Sequence, residues 1–171
     1  MDNALWTAAT VAACIGLALC LYLMHGSKKG VPGLRALDAG FQCPDMRFHY
    51  TAEKLFEDFG RVGEPGRVLL TRFWRIDFGF IICFLVAMLA IDRNVAVLVP
   101  IRYGMHGAAA LRALLDVAEN VMLMSVCRGY PQKRRTALAS AAGVVTAAKW
   151  IATGVWVVGL FINLFSVSIR L

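Results

Sequence analysis

Apolar residues fall along this chain in long blocks rather than in alternation. One runs from Ala4 to Met24, and others from Trp74 to Ile91, Tyr103 to Cys127 and Thr136 to Val167. A bilayer's hydrocarbon is about 30 Å thick, and about 20 mostly apolar residues cross it as a helix. Each block therefore predicts a transmembrane span, at approximately 4–24, 74–91, 103–127 and 136–167. The second helix is expected to begin earlier, at Pro65, whose ring suits a first helical turn, and so to project from the membrane on one side.

Between the first two blocks, 25–64 reads as a connector. Gly26, Gly30, Pro32, Gly33, Gly40 and Pro44 predict irregular chain up to residue 50. A short amphipathic helix is expected over 51–60. Thr51 is its cap, Glu53 suits its first turn, Leu55, Phe56 and Phe59 make its apolar face, and Gly60 is its expected stop. Phe73 and Trp74 are expected at interfacial depth. The predicted fold is all-α, a single integral membrane four-helix bundle with an amphipathic helix in the first loop.

Composition strengthens the membrane reading. Of the 171 residues, 59% are hydrophobic, and the mean hydropathy is +0.64, above the range of a soluble domain. The formal net charge of +7 does not point to nucleic acid, because the basic residues flank hydrophobic spans. Loops on the cytoplasmic or matrix side collect Lys and Arg. His25 to Arg75 holds nine of them and Arg128 to Arg135 four, against Arg93, Arg102 and Arg170 elsewhere outside the spans. The connector is thus expected to face inside, with both termini opposite the basic side. A mitochondrial inner membrane is the favoured setting and a bacterial inner membrane the alternative. Only Asp2 precedes the first apolar run, whose basic residues follow it, so it reads as an anchor rather than a cleaved signal.

The most informative residues are the charges inside the spans. Arg112, Asp116, Glu119 and Asn120 lie within an arc of about 100° on the third helix, and Lys149 sits on the fourth in a stripe with Thr146, Thr153 and Asn163. Each ionisable group costs at least about 2.5 kcal/mol at mid-bilayer, so such groups turn inward and pair. At 1.5 Å per residue from the basic ends, Asp116, Lys149 and Arg112 lie about 18, 21 and 24 Å deep. Lys149 and Arg112 are expected to neutralise Asp116 and Glu119, with Asn120 filling the remaining hydrogen-bond demand. The cluster reads either as a polar lock between helices or as a site for protons, ions or headgroups.

Other chemistry is sparse. Cys14, Cys20, Cys43, Cys83 and Cys127 show no Cys-x-x-Cys spacing and read as packing residues. His25 and His106 belong to opposite ends of the spans, which suits a shared haem poorly. No nucleotide, hydrolase or metalloprotease motif occurs, so no catalytic residue, metal or cofactor is expected. A bound phospholipid is the one ligand anticipated, with Arg67, Arg72, Arg75 and Asp77 as headgroup contacts.

Three stretches carry a family resemblance. Arg47-Phe-His-Tyr-Thr-Ala-Glu precedes Gly63-Glu-Pro-Gly-Arg67; Asp77 opens the second span; Asp116-Val-Ala-Glu-Asn120 is followed by Thr146-Ala-Ala-Lys-Trp150. The order resembles a family of small four-span integral membrane proteins of bacteria and protists, over roughly residues 45–150. The resemblance implies the same fold and marks the same polar residues, with no activity attached. This chain has Gly79-Phe80 where the family tends to place Phe-Pro, so the kink the resemblance would put in the second span is not expected here.

These features suit a non-catalytic accessory subunit of a larger membrane complex, in a mitochondrial inner-membrane respiratory-chain or ATP synthase assembly, with membrane lipids and other integral subunits as partners. The alternatives are a lipid-binding protein or membrane enzyme at the inner interface, or a carrier of ions, protons or small molecules using the Arg112, Asp116, Glu119 and Lys149 cluster.

Overall fold

A computed structural model describes residues 3–95 and 98–168. Among these the chain is all-α, with four long helices and one short one. Helix α1 covers Asn3–Leu21 and ends in a widened turn over Tyr22–Gly26; α2 is Val31–Leu37, α3 Ala52–Val95, α4 Val99–Gly129 and α5 Thr136–Ser168. Three helical stretches are long and apolar enough to cross a membrane: the N-terminal one, α3 and α5. Helix α4 is long enough but carries Arg102, Arg112, Asp116, Glu119 and Arg128, so apolar composition alone does not qualify it.

The connector departs from the expected irregular chain. Pro32 lies in the first turn of α2, and a 3-10 turn forms over Pro44–Met46. Thr51 caps α3 as its sequence suggests, its Oγ1 accepting the Lys54 N–H at 3.3 Å. Gly60, however, stays helical. The break comes at Gly63, which takes φ 64° and ψ −165°. A lone helical glycine costs only about 1 kcal/mol, whereas a positive φ needs glycine. Pro65 then sits where the helix restarts and its missing N–H is harmless. Beyond Gly63, α3 has helical backbone to Val95.

Helix α4 packs most closely on α5 and next on α3, which also holds α1. Two apolar clusters form, one at the end that bears the basic loops and one at the far end. The first is large because the connector folds into it. Leu34, Phe41 and Tyr50 pack with Phe59, Phe73, Trp74 and Leu123. Phe73 and Trp74 are fully buried, so at whatever depth they lie their rings pack into the bundle rather than against lipid. They share a 3.6-residue face with Leu70 and Ile81, and that face turns inward. Gly143 lets the connector reach α5, since a Cβ there would lie 2.1 Å from the Tyr50 carbonyl oxygen. The far-end cluster is smaller: Met88, Met105, Ala108, Ala109 and Trp156.

Outward faces are apolar. Leu5, Ile15 and Leu19 of α1 and Val144, Ile151, Val155 and Val158 of α5 are exposed.

Candidate functional site: a buried charged cluster beside a cavity

The inward stripe of α4 meets α5 at Lys149. Its Nζ lies 2.9 Å from Asp116 Oδ1 and 2.5 Å from Glu119 Oε2. Arg112, one turn before Asp116, reaches the other Asp116 oxygen at 2.9 Å. Glu119 also accepts from the Thr146 hydroxyl at 2.5 Å, and Thr146 in turn donates to the Ala142 carbonyl at 2.9 Å. Arg112, Asp116, Glu119, Asn120 and Lys149 are all buried. Pairing across α4 and α5 follows from helical spacing: residues 112, 116 and 119 recur on one face, and the four-residue steps at 142, 146 and 149–153 give α5 a matching one.

Asn120 does something other than complete that quartet. Its Nδ2 donates to Asp77 Oδ2 at 2.7 Å, which brings α3 into the cluster. Asp77 was expected at the headgroups beside Arg72 and Arg75. Only 4% exposed, it lies instead inside the bundle. It falls on the face of Leu70, Phe73, Trp74 and Ile81, and that periodicity is the signal that separates it from the arginines. Arg67, Arg72 and Arg75 are elsewhere, half-buried or exposed along a different face.

A further carboxyl comes from the connector. Asp45 is 6% exposed, and its backbone carbonyl accepts from Lys149 Nζ at 3.4 Å. Its Oδ1 has no hydrogen-bond partner among the described residues. Burial pushes the Asp45 carboxyl up to about 8; Lys149 opposes the shift and Glu119, Asp77 and Asp116 add to it. Tyr50, five residues on, is likewise raised by burial. Nothing in a glycine- and proline-rich segment marked Asp45 as a partner of Lys149, 104 positions away.

These groups line a cavity of about 220 Å³. Asp45, Asp77, Arg112, Asp116 and Lys149, with His25 and Thr153, form its polar wall, and Leu21, Met24, Met46, Phe80, Phe84 and Trp150 the rest. The rings already hold cations: the Arg112 guanidinium lies 4.4 Å from the centre of the Phe84 ring and Lys149 Nζ 5.9 Å from that of Trp150. Arg112 Nη1 and Trp150 Nε1 are buried without a hydrogen-bond partner among the described residues. The charge count is uneven. Asp45, Asp77, Asp116 and Glu119 face Arg112 and Lys149, so ionising these six groups leaves two negative charges in excess. No ion pair reaches Asp45 or Asp77 among the described residues. Such carboxyls must hold protons or meet a cation, because a buried unpaired charge costs several kcal/mol.

The five cysteines are free. Among the described residues no set of three or more His, Cys, Asp or Glu side chains is arranged to hold a metal. At the far end Asp92, fully buried, accepts from Trp156 Nε1 at 2.8 Å and lies 3.8 Å from His106 Nε2.

Fold and site together define an all-α protein with three helices long and apolar enough to cross a membrane and a buried charged cluster that α4 shares with α3, α5 and the connector. Comparison with protein families, curated proteins and solved structures finds no match to the chain.

Proposed function

We propose that this is a four-span integral membrane protein, with α4 as the shielded fourth span, and that it carries a small organic cation through the Asp45–Asp77 cavity in exchange for a proton. One observation carries the reading: two carboxyls that no ion pair reaches among the described residues line a cavity together with the Arg112, Asp116 and Lys149 cluster, and its remaining walls are largely apolar and aromatic. A protonated Asp45 or Asp77 is neutral and tolerable in the bundle; a bound cation takes the proton's place, one positive charge entering as one leaves. Aromatic walls suit an alkylammonium or arylammonium better than a metal ion, which needs a shell of oxygens. Charged groups at mid-span are commonest in transport pathways. On this reading the basic loops face the cytoplasm or matrix, following the distribution of Lys and Arg.

Reconstitution tests it. Vesicles holding the protein, acidic inside, should accumulate benzyltrimethylammonium, which cannot cross lipid as a neutral base. Uptake should collapse with the pH gradient and be lost in Asp45→Asn and Asp77→Asn. Correctly eluting protein that gives no uptake above empty vesicles rejects the carrier.

A second reading is an accessory subunit of a larger membrane complex, in a mitochondrial or bacterial inner membrane. It is favoured by Gly104, Gly107 and Gly154, where nothing lies within 4 Å of a would-be Cβ; bare backbone of this kind lets another helix approach closely. Isolation from native membranes in mild detergent decides it: migration always at the mass of the lone chain excludes a complex.

A further inference from the structure

A wide groove of about 710 Å³ opens at the basic end, between α3 and the last turn of α4 with the residues that follow it. Arg67, Arg72, Arg75 and Arg128 line it, and Glu64 is the one acid among its lining residues. None of the four arginines forms an ion pair among the described residues. Arg67 is fixed. Its guanidinium lies 5.3 Å from the centre of the Tyr130 ring, and its carbonyl accepts from Thr71 Oγ1 at 3.0 Å and Cys127 Sγ at 3.7 Å. Tyr130 is itself stacked on Phe56, with ring centres 5.7 Å apart. The stacked Arg67 therefore stands on a packed floor, whereas Arg72, Arg75 and Arg128 are exposed around it.

Residues 64, 67, 68, 71, 72 and 75 of α3 recur on one helical face. The same face continues beyond the arginines as Ile82 and Val86, with Ile82 66% exposed, while Gly79 at its edge lies against Cys20 of α1. Four unpaired guanidinium groups thus sit directly above an apolar track running down the second span. A soluble anion would use only the upper half of this arrangement. We propose that the groove binds the phosphate of an anionic phospholipid, its acyl chains lying along Ile82 and Val86 beside α1. Arginine forks match phosphate oxygens bidentately, and each basic residue near an anionic surface contributes about 1 kcal/mol. This site is separate from the cavity, on another face of α3, and stands whether or not the cavity carries cations.

Native mass spectrometry of the purified full-length chain in detergent tests it, with dioleoyl phosphatidic acid, dioleoyl phosphatidylcholine and inorganic phosphate as added species. Phosphatidic acid should be retained about tenfold better than phosphatidylcholine, the step that about 1.4 kcal/mol gives, and excess inorganic phosphate should not displace it. The preference should disappear in Arg67→Gln/Arg128→Gln. If that variant fails to elute as folded protein, Arg72→Gln/Arg75→Gln, altering exposed side chains only, should reduce the preference severalfold. Equal retention of the two lipids, displacement by inorganic phosphate, or an unchanged preference in a folded double variant each overturns the proposal.

Discussion

Both ends of the bundle bury acids, and they settle them differently. At the far end Asp92 is alone; a neutral indole N–H from α5 caps it at 2.8 Å, with His106 close by. Nearer the basic end four carboxyls from α3, α4 and the connector converge on two cations, and the cavity opens against them. Asp92 is a single acid with one donor on Oδ1, while its Oδ2 has no hydrogen-bond partner among the described residues, and it stands away from the cavity that Asp45 and Asp77 line. A surplus of acids beside an enclosed space leaves charge to be settled by a proton or a ligand. What separates the two ends is therefore not burial, which they share, but the number of acids gathered and the cavity beside them.

The largest effect expected from breaking this contrast is at Lys149. Lys149→Met leaves Asp116 with Arg112 alone and Glu119 with no cation, and stranding buried charge costs about 3–5 kcal/mol. Thermal denaturation in detergent should show it as a large fall in the midpoint or as loss of the folded form. An unchanged midpoint would mean that Glu119 is already neutral and the pairing at 2.5 Å adds little.

Next comes the pH response. The Asp45 carboxyl stands at about 8 in the folded protein against an ordinary 3.8, chiefly through burial. Between those values the folded chain holds a proton that the unfolded chain has released. Stability from this group is therefore fully present below about pH 4 and falls as pH rises towards 8, at up to about 1.4 kcal/mol per pH unit. Lys149, Glu119, Asp77 and Asp116 all face it, Lys149 opposing the shift and the three acids adding to it. Asp45→Asn should flatten the denaturation midpoint between pH 5 and 8 and raise it at pH 8. A slope that survives the substitution assigns the titration to the other acids.

How much of this was legible in the chain depends on how far each contact reaches. Arg112, Asp116 and Glu119 are spaced by one helical turn, and Lys149 lies on the neighbouring helix across a short loop, so local geometry placed them. Asp77 was read with Arg72 and Arg75 because it follows them closely; the face shared with Phe73 and Trp74 separates it, and which face turns inward depends on how α3 is rotated against α4. Asp45 gave no signal. Its position follows from the connector folding back against Gly143, a contact with no periodicity behind it. The helices at 65–91 and 136–167 were clear from their apolar blocks, whereas α2 was hidden by the prolines and glycines that start and flank it.

The smallest effect tests the far end. Trp156→Phe keeps an aromatic ring but removes the Nε1–H that Asp92 accepts. A hydrogen bond to a charged group is worth about 1.5–3 kcal/mol, and His106, 3.8 Å from the other oxygen, is the only remaining ionic neighbour among the described residues. A modest fall in the denaturation midpoint is expected, with benzyltrimethylammonium uptake unchanged per folded molecule. Uptake abolished in a variant that still folds would put Asp92 on the transport path. The single acid would then be part of the working site, and the gathering of several acids beside a cavity would no longer distinguish the two ends.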